Sequence, residues 1–296
     1  MTRRDIALVL FVIIIWASNF VAVKIGVEEM PALLLLALRF SLTGLLFLPF
    51  LRWPGLPKAR VVFEITFLMS ILHQGLMFVG LSMISASMSV ILIQSQVIFS
   101  VLIAWVFFKE KIGWRTWAGI TIGLAGIMLT VGGPDMNSDL VACAMILLSA
   151  LFVSLSYFRM KSLQDIHPAT YIALLNLFAA PFLWVFYAIT DVMGYNAGFQ
   201  WQDINWIMAG ASLAFQVCLV SLAHMIWQQV VARNEVSKVT PYTLLMPIFG
   251  IGASALILQE TITWIMLAGG FLTMVGVTII TYRRIQKGIE PHPETE

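Results

Sequence analysis

Apolar residues run along this chain in blocks of about twenty, separated by short polar punctuation. Ten such blocks stand out, over roughly 5–26, 31–51, 61–83, 85–108, 114–132, 140–159, 168–190, 204–228, 239–258 and 261–282. Each is apolar on all sides, without the one-faced stripe of a surface helix. Each is close to the ~20 residues an α-helix needs to span the ~30 Å hydrocarbon core of a bilayer. The pattern predicts an all-α membrane protein of ten transmembrane helices. The link between the third and fourth blocks carries no charge, so Ser85 and Ser87 set that boundary. The eighth block is the most polar, with Gln216, His224, Gln228 and Gln229.

Composition agrees: 60% of the 296 residues are hydrophobic and 11% charged, where a soluble domain carries roughly 25% charged residues. Charge placement then tests the helix count. Of the 17 Lys and Arg residues, all but Lys24 and Arg39 fall in the two tails and in alternate connections: Arg3 and Arg4, Arg52 to Arg60, Lys109 to Arg115, Arg159 and Lys161, Arg233 and Lys238, and Arg283 to Lys287. The opposite connections carry Glu28, Glu29, Asp135, Asp139, Asp191, Asp203 and Glu260 and no cation. Basic loops stay on the cytoplasmic side, so both termini are expected there. A miscount by one helix would destroy the alternation. The first block is too long for a signal peptide and lacks a cleavage site, so it reads as a retained helix.

The chain also matches itself. At an offset of 137, Lys24 falls on Lys161, Pro31-Ala32 on Pro168-Ala169, and Arg39 on Asn176; at 150, Glu110, Ile112, Trp114, Gly119 and Gly126 fall on Glu260, Ile262, Trp264, Gly269 and Gly276. This organisation predicts one five-helix repeat over 1–133, a second over 140–283, and a polar cytoplasmic tail over 284–296. An odd number of helices per repeat makes the second half enter from the other face, the inverted topology of many secondary transporters.

Polar side chains near mid-membrane mark a candidate site. At about 1.5 Å per residue, Arg39 lies within a turn of the middle of its helix, where a charge costs at least ~2.5–3.5 kcal/mol. Trp16, Asn19, His73, Gln74, Gln94, Gln96 and Asn176 share that depth, with Tyr157 and His224 towards the cytoplasm. Gln94 and Gln96 point about 200° apart on a helix, so at most one is expected to line a cavity. Lys24 sits near the outer boundary, where a lysine snorkels. Cys143 and Cys218 belong to no metal or redox motif. No nucleotide-binding, HExxH or G-x-S-x-G motif occurs, and no carboxylate lies at mid-membrane. No cofactor, metal or nucleic-acid partner is expected, and an enzyme built on His73 or His224 lacks a carboxylate partner at useful spacing.

Several stretches together resemble one family. Trp16-Ala17-Ser18-Asn19-Phe20, Lys24 to Gly26, Met30-Pro31, Arg39-Phe40, Lys109-Glu110, the segment from Pro241 to Pro247, and Gln259-Glu260 are similar to the EamA family of the drug/metabolite transporter superfamily. Gln94-Ser95-Gln96 followed by Phe99 resembles the branch that exports cysteine and O-acetylserine. His73 departs from that branch's apolar residue, and Gln96-Val97 stands where many members have proline. The resemblance implies an exporter in the bacterial inner membrane that works by alternating access on amino acids or related metabolites. Its other partner would be membrane lipid. A flippase of a lipid-linked substrate is the alternative on the same fold.

Overall fold

In the computed structural model the described residues are 1–132, 140–160, 163, 166–234 and 236–286. Asp135, Asp139, Lys161 and the tail from Lys287 lie outside them, and so do the structural consequences expected of those residues. Among the described residues there are helices and no strands.

Among the described residues the main helical segments follow in chain order. They are α1 (Arg3–Glu29), α2 (Ala32–Phe47), α3 (Leu56–Met83), α4 (Ala86–Phe108), α5 (Trp114–Val131), α6 (Leu140–Met160), α7 (Pro168–Val192), α8 (Trp206–Val231), α9 (Pro241–Ile257) and α10 (Trp264–Gln286). Eight of these segments are long and apolar enough to cross a membrane. Pro241–Ile257 is shorter, and α5 is an 18-residue helix. Their ends follow local chemistry. Thr2 and Asp5 form a reciprocal cap that starts α1. Ser85 accepts from the Met88 N–H at 3.2 Å and so starts α4. The Asn205 side chain accepts from Ile207 and Met208 at the head of α8. Each cap satisfies amide groups that a helix terminus leaves without partners.

α1 lies at the centre of the bundle and packs against α3, α4, α8 and α9, while α6 packs against α3 and α4. Two antiparallel pairs flank this centre, α2 with α7 and α5 with α10. The second pair meets through glycine. A Cβ at Gly119 would lie 2.9 Å from the Gly276 carbonyl, and one at Gly126 would lie 2.6 Å from the Gly269 carbonyl. Small residues let the backbones approach this closely, which is how helices associate where no hydrophobic effect acts between them.

Irregular features recur about 150 residues apart. α3 winds as a π-helix over Thr66–His73 and α8 does so over Phe215–Val220. α4 breaks at Ile93–Gln94, where Gln96 N–H bonds Ile93 and Val97 N–H bonds Gln94 in tight turns. α9 enters through a 3-10 stretch, Thr240–Leu245, with Pro241 at its start and Pro247 in the first turn of the helix that follows. α4 and α9 both end in a left-handed residue, Lys109 and Gln259, each at φ 53°. The next amide then reaches back to the carbonyl six residues earlier, Glu110 to Ala104 and Glu260 to Ser254.

Glu260 also reaches across the bundle. Its carboxylate accepts from the Ala86 N–H at 2.7 Å, the Ser87 N–H at 3.0 Å and the Ser87 hydroxyl at 2.5 Å. At the same end Glu29 accepts from the Asn205 N–H at 2.9 Å. Lys24 donates to the carbonyls of Leu81, Ser82 and Ile84 at 3.1–3.4 Å, capping the last turn of α3. A cation at a helix C-terminus satisfies free carbonyls and meets the negative end of the dipole.

Candidate functional site

The polar residues of the central helices converge between the two flanks. Trp16 and Asn19 stand one turn apart on α1. The Trp16 ring lies 5.1 Å from both His224 and Trp227 of α8. α8 is fixed to α1 by the Ser212 hydroxyl, which donates to the Ala22 carbonyl at 2.6 Å. The Gln216 amide then donates to the Ser212 oxygen at 3.0 Å. Because α1 and α8 run antiparallel, Gln216, one turn beyond Ser212, sits level with Asn19, one turn before Ala22.

Arg39 is buried at 7% exposure on α2. Its guanidinium lies 5.6 Å from the ring centres of Phe40 and Phe78, a cation–π arrangement. Arg39 stands on α2, which packs against α3 and against the π stretch of α8. Among the described residues it makes no ion pair, and its Nη1 is buried without an acceptor. A buried charge without a paired carboxylate is uncommon in a span and marks a site where a partner arrives from outside.

His73 and Gln74 close the π stretch of α3. An inserted residue breaks the regular ladder there, a feature frequent at functional sites. Nδ1 of His73 lies 3.1 Å from the Ser149 carbonyl on α6 and 3.0 Å from its hydroxyl. The carbonyl can only accept, so Nδ1 carries the proton and Nε2 is left as an acceptor. His224 does likewise, with Nδ1 2.7 Å from the Val220 carbonyl.

Gln94 is buried at the break of α4. Gln96 faces α6: its side-chain oxygen accepts from the Tyr157 hydroxyl at 3.2 Å, and its carbonyl accepts from Ser154 at 2.8 Å. Tyr157 keeps 43% of its surface accessible. Asn176 is buried on α7 and donates within its own helix to the Ile172 carbonyl at 2.7 Å. The ten expected site residues therefore do not form one shell. Trp16, Asn19, Arg39, His73, Gln74 and His224 stand on α1 and on α2, α3 and α8, which pack against it, with Trp16 against His224; Gln96 and Tyr157 form a second contact between α4 and α6; Gln94 sits at the α4 break; Asn176 is engaged locally.

The cluster carries many unmet hydrogen-bonding atoms. Trp16 Nε1, Asn19 Oδ1, Arg39 Nη1, Ser70 Oγ, Gln74 Oε1, Ser95 Oγ, Tyr171 OH and Gln216 Oε1 are all buried and without a partner. Each such atom costs about 1–3 kcal/mol, and six of the eight, on Trp16, Asn19, Arg39, Ser70, Gln74 and Gln216, stand on α1, α2, α3 and α8. Gln216 is a central polar residue of its block in sequence, whereas Ser70 and Tyr171 were not expected as site groups. The available signal was spacing, since Ser70 precedes Gln74 by one turn and Ser212 precedes Gln216 likewise.

Comparison with known proteins places this geometry in context. The EamA-like transporter family matches residues 4–132 and again 140–282. A probable amino-acid metabolite efflux pump of Salmonella typhimurium is 28% identical over 290 residues, covering 94% of this chain and 95% of the relative. A protein of the same description from Escherichia coli is 26% identical over 288 residues, with the same coverage of each chain. An uncharacterized transporter of Bacillus subtilis, YvbV, is 25% identical and covers 96% of this chain and 94% of its own. One solved crystal structure shares the fold with a TM-score of 0.62 at 16% identity, covering 96% of this chain and 99% of that one.

Proposed function

Because this chain belongs to the EamA-like transporter family, we propose that it is a secondary exporter of amino acids or their derivatives, working by alternating access in the bacterial inner membrane. That it is a multi-pass membrane transporter of small molecules follows from the family and the apolar helices. The amino-acid assignment is supported by two relatives described as amino-acid metabolite efflux pumps. It is carried by one observation, the buried Arg39 with an unpartnered Nη1 among amide side chains.

Ten spans in two inverted repeats, with both termini cytoplasmic, complete the reading. The recurrence of π stretches, broken helices and left-handed ends at about 150 residues supports the repeat. So does the reciprocal glycine contact, since Gly119 against Gly276 and Gly126 against Gly269 exchange under the same offset. Interrupted helices at mid-membrane are where such folds bind substrate. In this reading Arg39 meets the substrate carboxylate, the amides bond its polar groups, and Trp16 and Tyr157 form walls. Gln94, Gln96, His73, His224 and Asn176 border the path.

Counterflow in proteoliposomes tests this. Purified protein reconstituted with unlabelled amino acids inside is expected to accumulate radiolabelled amino acids from outside. Arg39→Ala is expected to lose at least about 90% of the exchange, the tenfold worth of one charge-assisted hydrogen bond, while keeping its monodisperse elution in detergent. Full exchange by Arg39→Ala would displace the site, and no exchange of any amino acid by folded wild-type protein would remove the amino-acid assignment.

A further inference from the structure

Building on the transport reading, we propose that the cluster has two chemically distinct poles. Arg39 Nη1 and Trp16 Nε1 take a carboxylate, and the amide oxygens of Asn19, Gln74 and Gln216 take an α-ammonium group.

The unmet atoms of the cluster divide by what they can do. Guanidinium and indole nitrogens only donate, so Arg39 Nη1 and Trp16 Nε1 each need an acceptor. Amide oxygens only accept: that of Gln216 is fixed as the unmet end by its neighbours, and Asn19 and Gln74, whose amides are bonded to no neighbour, can each turn an oxygen to a donor. The orientation of Gln216 is dictated by its neighbours. The Ser212 hydroxyl has one proton and gives it to the Ala22 carbonyl at 2.6 Å, so its oxygen can only accept from Gln216, at 3.0 Å. The Gln216 nitrogen is thereby used and its oxygen is the free end. Two donors and three acceptors match a carboxylate, with two accepting oxygens, and a primary ammonium, with three N–H donors.

The register of the helices gathers these atoms at one level. Gln216 is level with Asn19 across the α1–α8 contact. Gln74 lies one turn from Phe78, whose ring faces the Arg39 guanidinium at 5.6 Å. Trp16 lies one turn from Asn19 on α1, and its ring packs on His224 of α8 at 5.1 Å. The Ser70 hydroxyl, one turn before Gln74 on α3, can give or accept and is left for the substrate side chain.

The two poles also set what is rejected. An amine without a carboxylate meets Arg39 with a like charge nearby and no counter-charge. A dicarboxylate satisfies Arg39 but turns oxygens towards the fixed Gln216 oxygen, which then stays unpaired. Neutral dipoles take up the ammonium, so no acidic residue is required at that pole.

The test uses competition on the wild-type protein. Proteoliposomes loaded with the twenty common L-amino acids are exposed to a radiolabelled mixture of the same, with three unlabelled competitors at equal concentration: the free mixture, its Nα-acetyl forms and its methyl esters. Acetylation removes the charge and two of the three N–H donors; esterification removes the carboxylate. Each blocked mixture is expected to compete at least about tenfold more weakly than the free one, the worth of one lost charge-assisted hydrogen bond. Trp16→Phe, which keeps a ring and loses the N–H, is expected to narrow the preference for free acid over ester and to leave the preference for free amine over N-acetyl form unchanged. Gln216→Met is expected to do the reverse. Exchange that persists while blocked forms compete as well as free ones would overturn the two poles and leave the transport reading standing. No exchange with the free mixture would overturn both.

Discussion

Lys24 and Arg39 are both single cations inside apolar helices, and depth and surroundings separate them. The Lys24 ammonium has all three of its protons within reach of carbonyls at the end of α3. It acts as a cap. Arg39 has aromatic faces and no acceptor for Nη1. Lys24→Met is therefore expected to lower the thermal stability of the detergent-solubilised protein by ~1 kcal/mol, the net worth of a hydrogen bond to part-buried carbonyls, and to spare exchange. Arg39→Ala is expected to act the other way round. A melting curve beside a counterflow measurement checks both, and a Lys24→Met protein that melts as the wild type but fails to exchange would reverse the assignment. Sequence alone separated the two by depth, Arg39 near mid-membrane and Lys24 near the outer boundary, but could not show what holds Lys24, because those carbonyls lie 57–60 residues away. The same limit hid Ser70 and Tyr171. A serine or tyrosine in an apolar helix is ordinary, and its missing partner becomes visible only when the neighbouring helices are in place.

At the scale of the element, the helices were legible because a bilayer demands continuous apolar length, and Thr2, Ser85, Asn205 and Pro168 mark their ends as local chemistry requires. The π stretches and the break at Ile93–Gln94 were not. Thr66–His73 contains neither proline nor glycine, so nothing in its own residues disfavours an α-helix. Its winding comes from contacts with α6 and α7. The head of α4 shows the same dependence on distant residues. Ser85 caps it locally, but the Glu260 carboxylate, 173–174 residues on, takes two further amides and a hydroxyl. A charged acceptor at a helix N-terminus stabilises it through the dipole as well as the bonds. Glu260→Ala is expected to loosen this end. The reporter is a single cysteine at Ile84, buried beside the latch, in a background with Cys143 and Cys218 replaced. Its labelling by a membrane-impermeant maleimide is expected to rise several-fold, and an unchanged rate would show that Glu260 does not hold the end shut.

For the whole molecule, the proposed repeat turns this latch into one of a pair. At the end that carries Glu29, Asn205 and Glu260, two carboxylates bridge the halves of the chain: Glu260 in the second half takes the head of α4 in the first, and Glu29 in the first takes the Asn205 amide in the second. The offset of 150 maps Glu260 on Glu110, and Ala86-Ser87 on Val236-Ser237, which begin the short helical turn Val236–Val239 before α9. Glu110 has the same local backbone as Glu260, following a residue at φ 53° and bonding six residues back, yet its side chain is exposed. Alternating access exchanges which end is closed, and an inverted repeat does so by swapping the conformations of its two halves. Glu110 is then expected to take the head of the Val236 turn when the opposite end opens, as Glu260 takes the head of α4 now. The two carboxylates stabilise opposite states, so their removal shifts one population in opposite directions. In the same Ile84 cysteine background, Glu260→Ala raises labelling from the outer face and Glu110→Ala lowers it below the unmutated rate. A double substitution returns it towards the starting value, because the two losses offset each other. Equal effects of the same sign would mean that the carboxylates serve only to stabilise their own helix ends, and the two halves would have to alternate by other contacts.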